Sequence, residues 1–68
     1  MDIYNKNSIE KLSKREIEIS LLILQGEKTI SIAKKLGIKP NSVSTIKWRV
    51  YSKLGINSEI ALYKDLKE

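Results

Sequence analysis

The residue types of this chain exclude most catalytic chemistry. Its 68 residues contain no cysteine and no histidine, so it lacks the usual general base, the thiolate nucleophile and the commonest nitrogen and sulfur metal ligands. The carboxylates of Glu16, Glu18, Glu59 and Asp65 fall near predicted helix starts or on predicted helix surfaces. Serine or tyrosine without a base is a poor nucleophile. We therefore expect a protein that is not an enzyme and that uses neither a metal nor another cofactor.

The chemistry that remains is the binding of an anion. The chain has 13 lysine and arginine residues against 8 aspartate and glutamate residues, which gives a net charge of +5. Such a balance favours an anionic partner. No apolar run approaches the roughly 20 residues of a membrane span, and residues 1–11 lack the apolar stretch of a signal peptide. We expect a cytoplasmic binding module without a membrane contact or a small-molecule ligand.

The residues best suited to this binding lie on one face of the helix predicted over 40–54. In steps of 100°, the apolar residues of this helix share one narrow arc: Val43, Ile46, Val50 and Leu54. The opposite side carries hydroxyl and amide residues around one indole: Asn41, Ser44, Thr45, Trp48 and Ser52, flanked by Arg49. The helix has no acidic residue, whereas a solvated helix face normally carries Glu–Lys pairs. Such a face suits close approach to DNA.

Trp48 allows two interpretations. Its indole can fold back over the core, as many tryptophans do. It can instead lie against a sugar or a thymine methyl group in the major groove, where apolar contacts help to discriminate bases. Its place on the polar arc favours the second interpretation.

Glycine and proline divide the chain into the elements that must position this face. The three glycines each follow a predicted helix end, where a left-handed residue is favoured. Pro40 stands at a first helical position, where its missing N–H costs nothing. Four helices are predicted, over 13–24, 29–36, 40–54 and 57–66. The consistent fold is an all-α four-helix bundle over 12–68, preceded by an arm over 1–11 in which Ile3 or Ile9 can pack against the bundle.

The expected N-terminal caps follow from residue type. Ser13 with Glu16 three residues later predicts a capping box. Thr29 is the candidate cap of the second helix, and Asn57 or Ser58 is the candidate cap of the fourth. The link over 37–39 is short and contains glycine, as a helix-turn-helix requires.

The helix over 57–66 is apolar around much of its circumference. Ile60, Leu62, Tyr63 and Leu66 spread over nearly half of it, and one small core can bury only part of that arc. The remainder is either a tolerated apolar surface or a dimer contact. We expect the dimer contact.

Taken together, these residues resemble the LuxR-type, or NarL/FixJ-type, helix-turn-helix DNA-binding domain of bacterial regulators. The resemblance runs from Leu12 to about Leu66 and rests on joint spacing: Leu12-Ser13-x-Arg15-Glu16, then Gly26, then Ile32-Ala33-x-x-Leu36-Gly37-Ile38-x-Pro40-x-Ser42-Val43-Ser44-Thr45, then Lys53-Leu54-Gly55-Ile56. In that family the module usually follows a receiver or ligand-sensing domain, and some members are free-standing. This chain is expected to be either a free-standing regulator or a domain excised from a longer one.

The resemblance implies a sequence-specific transcription regulator that binds double-stranded DNA. Its third helix would read the major groove, and its fourth would form a homodimer, or a heterodimer with another regulator, through Ile60, Leu62, Tyr63 and Leu66. The residues implied to lie near bases are Ser44, Thr45 and Trp48. Those implied to contact phosphates are Lys39, Asn41, Ser42, Lys47 and Arg49.

Three positions depart from the family pattern. Lys39 stands where a capping serine or threonine is common, and Trp48 stands where a basic or polar residue is frequent. Ser20 replaces a common leucine, whose packing role Leu21 and Leu24 are expected to take.

The alternative function is a protein-interaction module that pairs with another regulator through its apolar fourth helix and contacts DNA weakly or not at all.

Overall fold

The computed structural model describes the backbone of residues 6–66 and the side chains of residues 8–66. Within that range it contains five helices and no strand: α1 (Lys6–Glu10), α2 (Lys14–Leu24), α3 (Thr29–Leu36), α4 (Pro40–Leu54) and α5 (Glu59–Leu66). The predicted all-α fold is confirmed, and the four predicted helices are α2 to α5. The short helix α1 is an addition, and it lies in the segment that the sequence suggests is an arm.

The capping box at α2 forms as predicted. The Glu16 backbone N–H donates to Ser13 Oγ at 3.3 Å, and Glu16 Oε1 accepts from the Ser13 backbone N–H at 2.8 Å. At α5, the Ala61 backbone N–H donates to Ser58 Oγ at 3.1 Å, so Ser58 rather than Asn57 supplies the cap. Side-chain oxygens thus satisfy backbone donors that the first turn of each helix leaves without a partner.

The predicted cap of α3 is wrong by one residue. Thr29 is the first residue inside the helix, and the extended residue before it, Lys28, occupies the cap position without a side-chain hydrogen bond. The reason is the first intrahelical bond, in which the Ile32 backbone N–H donates to the Lys28 carbonyl oxygen at 2.9 Å.

Gly37 sets the turn between α3 and α4. Its φ of 67° lies in the left-handed region, which a residue with a Cβ adopts only at a cost. The turn is closed by the Ile38 backbone N–H, which donates to the Ala33 carbonyl oxygen at 3.0 Å. The chain therefore passes from α3 to α4 within three residues, and α4 packs against α3.

The core is built from helices α2 to α5 and from Leu12, which lies two residues before α2. Its buried apolar members are Leu12, Ile19, Ile23, Ile32, Ala33, Val43, Val50, Leu62 and Leu66. Val43 and Val50 are completely buried, and the partly exposed Ile46 and Leu54 pack against the core. The apolar arc predicted for α4 is thus the side that faces the core.

Ser20 is buried completely within this core. Its hydroxyl oxygen has no hydrogen-bond partner among the described residues, and burying an unpaired hydroxyl group costs free energy. Leu24 packs partly against the core, whereas Leu21 stays partly exposed and Ile19 and Ile23 provide the buried packing of α2. Of the two leucines expected to replace the family leucine, only Leu24 reaches the core.

Helix α1 packs against α5. The buried Ser8 hydroxyl donates to Asp65 Oδ2 at 2.8 Å, and Ile9 packs partly against the core. Ile9 therefore makes the contact suggested for one of the two N-terminal isoleucines. Ile3, the other, lies outside the described residues.

An ion pair joins the beginning of α2 to the end of α4. Lys53 Nζ lies 2.7 Å from Glu16 Oε1, and the Glu16 side chain is only 7% exposed. The Lys53 ammonium and the Ser13 backbone N–H hold the pKa of Glu16 below its ordinary value, although burial acts in the opposite direction. One carboxylate thus caps α2 and fixes the far end of α4.

The Glu16–Lys53 pair should make stability depend on pH. Because the folded state lowers the pKa of Glu16 from 4.5, its contribution is complete above pH 4.5 and is lost as the pH falls through the folded-state pKa. At pH 7, we expect Glu16→Gln to lower the free energy of unfolding by about 1.5–3 kcal/mol, the value of a hydrogen bond to a charged group. Thermal unfolding followed by circular dichroism between pH 7 and pH 3 measures this difference.

The matched control is Glu18→Gln, because Glu18 forms an exposed pair with Arg15 and such pairs contribute little to stability. The difference between the wild-type protein and Glu16→Gln should shrink in acid, when both side chains are neutral. A difference that stays constant down to pH 3 contradicts the assignment.

Candidate nucleic-acid interface

The side of α4 opposite the core is open to solvent. It consists of Asn41, Ser44, Thr45, Trp48, Arg49 and Ser52, all exposed, and is called the α4 face below. Because Val43 and Val50 on the other side are completely buried, the helix cannot rotate without exposing them. The core therefore determines which residues α4 presents outward.

Trp48 is the largest residue of the α4 face. It is 69% exposed, so the structure does not show the indole folded back over the core. An exposed indole leaves a large apolar area in contact with water, and burial against a partner would be favourable. Its position supports the interpretation in which Trp48 contacts a binding partner.

The hydroxyl of Thr45 has a defined orientation. Thr45 Oγ1 donates to the Asn41 carbonyl oxygen at 3.0 Å, one turn back along α4. This bond fixes the side-chain rotamer, and it leaves the oxygen able to accept a further hydrogen bond. Ser44, its exposed neighbour, adds a second hydroxyl to the same face.

The beginning of α4 gathers the other polar residues predicted to bind phosphate. Lys39 is the extended residue before the helix, and its side chain makes no cap hydrogen bond. Lys39, Asn41 and Ser42 are all exposed. The N-terminus of a helix carries a partial positive charge that favours anions, and the lysine adds a full charge beside it.

The two cations beside Trp48 differ in their surroundings. Arg49 is exposed and forms no ion pair with any described residue. Lys47 lies on the flank of α4 that faces α5, where its Nζ is 3.0 Å from Glu59 Oε1 and 5.8 Å from the centre of the Tyr51 ring. Burial raises the pKa of the Tyr51 phenol, and the Lys47 charge opposes that shift.

Helix α5 divides the four residues predicted to form a dimer contact. Leu62 and Leu66 are completely buried, four residues apart on the side that faces the core. They present no surface to a second chain. Ile60, 72% exposed, and Tyr63 remain at the surface, so a dimer contact through α5 would centre on these two residues.

Two ion pairs between helices could not be predicted from the sequence. The Lys47–Glu59 and Glu16–Lys53 pairs join residues on different helices. Helical periodicity describes one helix at a time, so it carries no signal for either pair. The family pattern includes Glu16 and Lys53 but does not show that they meet.

The described residues contain neither a cluster of metal-ligand side chains nor a helix able to span a membrane. No group of three or more acidic side chains in residues 8–66 is arranged to hold a metal ion. Among helices α1 to α5, none has the length and apolar character needed to cross a bilayer.

The chain resembles known bacterial regulators over most of its length. Residues 10–64 match the family model GerE, described as bacterial regulatory proteins of the luxR family. Response regulator GacA of Pseudomonas viridiflava is 38% identical over 58 residues, which are 85% of this chain and 27% of that protein. Response regulator GacA of Pseudomonas aeruginosa is 42% identical over 53 residues, 78% of this chain and 25% of that protein.

A second kind of relative matches over a slightly shorter part of the chain. Response regulator UvrY of Escherichia coli strain K12 is 37% identical over 51 residues, which are 75% of this chain and 23% of that protein. The chain spans about a quarter of the length of these relatives. No solved structure gives a significant match.

Proposed function

Because the chain belongs to the luxR family of bacterial regulatory proteins, we propose that it binds double-stranded DNA sequence-specifically, with α4 in the major groove. The family and the response-regulator relatives support a DNA-binding regulator of transcription. The observation that carries the proposed geometry is the α4 face, which is exposed, polar and free of acidic residues, with Trp48 at its centre. Its place of action would be the bacterial cytoplasm, where the DNA lies.

The α3–α4 pair provides the docking geometry. In a helix-turn-helix, the second helix enters the major groove while the first crosses the backbone. Here the second helix is α4, and Ser44, Thr45 and Trp48 would lie nearest to the bases. Serine and threonine hydroxyl groups accept and donate hydrogen bonds with several base edges, and an apolar side chain can pack on a thymine methyl group.

The affinity would come largely from phosphates. Lys39, Asn41 and Ser42 lie at the beginning of α4, and Arg49 lies on its flank, all exposed. Each cation that neutralises a phosphate releases counterions, which makes binding weaken steeply as the salt concentration rises. Lys47 differs from these residues because it is paired with Glu59 in the free protein.

A dimer would supply the rest of the specificity. Ser44 and Thr45 discriminate bases only modestly, so a single half-site gives limited selectivity. Two chains joined through Ile60 and Tyr63 would place two α4 helices about one DNA turn apart, roughly 34 Å. The same exposed pair also supports the second candidate function, an adaptor that joins another regulator through α5.

Selection from a pool of random duplexes, at two salt concentrations, tests the proposed function. We expect an inverted repeat whose half-site centres lie about 10 base pairs apart, recovered less efficiently at the higher salt concentration. Retention without an enriched sequence indicates non-specific binding. No retention even at low salt contradicts DNA binding and favours the adaptor.

Trp48 offers a test of the base contact itself. If its indole packs on a thymine methyl group, replacing that thymine with uracil in the enriched duplex should weaken wild-type binding about fourfold, the effect of removing one buried methyl group. We expect Trp48→Ala to bind the thymine and uracil duplexes equally, as measured by fluorescence anisotropy of a labelled duplex.

The matched control for Trp48 is Ile30→Ala, because Ile30 is another large apolar residue exposed on the surface, on α3. This variant should retain the wild-type difference between thymine and uracil. If Trp48→Ala retains it as well, Trp48 does not read the methyl group.

A further inference from the structure

We propose that Glu59 limits DNA binding by holding the Lys47 side chain away from the phosphates and cancelling its charge. The inference rests on the proposed function, in which α4 lies in the major groove. It concerns one ion pair between α4 and α5, and it makes Glu59 a residue that tunes affinity without touching DNA.

The Lys47 ammonium is held from two sides. Its Nζ lies 3.0 Å from Glu59 Oε1, a hydrogen-bonded ion pair. The same atom lies 5.8 Å from the centre of the Tyr51 ring, within the range of a cation–π interaction. The Lys47 side chain is only 27% exposed, whereas that of Glu59 is 62% exposed.

The pair makes the two flanks of the α4 face unequal. Lys47 and Arg49 precede and follow Trp48, so they lie about 100° to either side of the indole. Arg49 is exposed and unpaired among the described residues, but Lys47 points to α5. Of the two cations beside Trp48, only Arg49 is therefore without an ion pair among the described residues.

Helix α5 has anchors other than this pair. It is capped by Ser58 and held by the buried Leu62 and Leu66. Removing the Glu59 charge should therefore leave α5 in place while freeing the Lys47 ammonium. Freed, the flexible lysine side chain can reach toward a phosphate, and each phosphate neutralised steepens the salt dependence.

The experiment measures the slope of log K against log salt concentration for a duplex recovered from the selection. We expect Glu59→Gln to steepen the slope by about 0.9, the contribution of one extra phosphate contact. If binding is equal at 1 M salt, that slope corresponds to about eightfold tighter binding at 0.1 M salt.

Two further variants separate this effect from a general gain of positive charge. Glu18→Gln removes the same charge from an exposed pair on α2 and should leave the slope unchanged. In a Lys47→Met background, Glu59→Gln should no longer steepen the slope. Lys47→Met alone should lower the wild-type slope by much less than 0.9, a test that needs no change at Glu59.

Several results would overturn the inference. These are an unchanged slope in Glu59→Gln when circular dichroism shows a folded protein, an equal steepening in Glu18→Gln, or a loss of about 0.9 in Lys47→Met alone. In all three cases wild-type binding persists, so the proposed function stands. Absence of wild-type binding at low salt would remove both.

Discussion

The burial of Val43 and Val50 is the constraint on which the rest of this domain depends. Both valines are completely inaccessible to solvent, and they are seven residues apart, so they hold α4 by a single stripe along its length. Because this side of α4 is fixed in the core, the residues on its opposite side must be exposed. Trp48 and the small polar residues around it face outward because the valines face inward. The exposure of the α4 face is therefore a consequence of how the core packs.

The remaining contacts keep α4 in register with its neighbours. Gly37 permits the short turn that brings α3 against the start of α4, and the Glu16–Lys53 pair ties the other end of α4 to the beginning of α2. A domain of this size buries a modest share of its surface, so each of these contacts is a sizeable part of its stability. The buried hydroxyl of Ser20, which has no partner among the described residues, lowers that stability.

Local patterns predict most of the fold, because glycine, proline and capping residues act within a few residues of their own position. The same patterns place Trp48 correctly on the solvent side, since a helical wheel needs only spacing. They fail where the burial or the contacts of a side chain depend on how the helices pack together. The wheel of α5 cannot tell that Leu62 and Leu66 enter the core while Ile60 stays exposed, because that choice depends on how α5 docks. Nor can the wheel of α4 show that the Lys47 side chain turns toward α5, although Arg49 is only two residues away in sequence.

The most direct measurement is a titration of the isotope-labelled protein with a selected duplex, followed by backbone amide chemical shifts. If α4 enters the major groove, the largest shift changes should fall on residues 39–52, including the amide of Trp48, with smaller changes on α3 and α2. Changes confined to α5 around Ile60 and Tyr63, with α4 unaffected, would contradict the assignment of the α4 face as the surface that binds DNA.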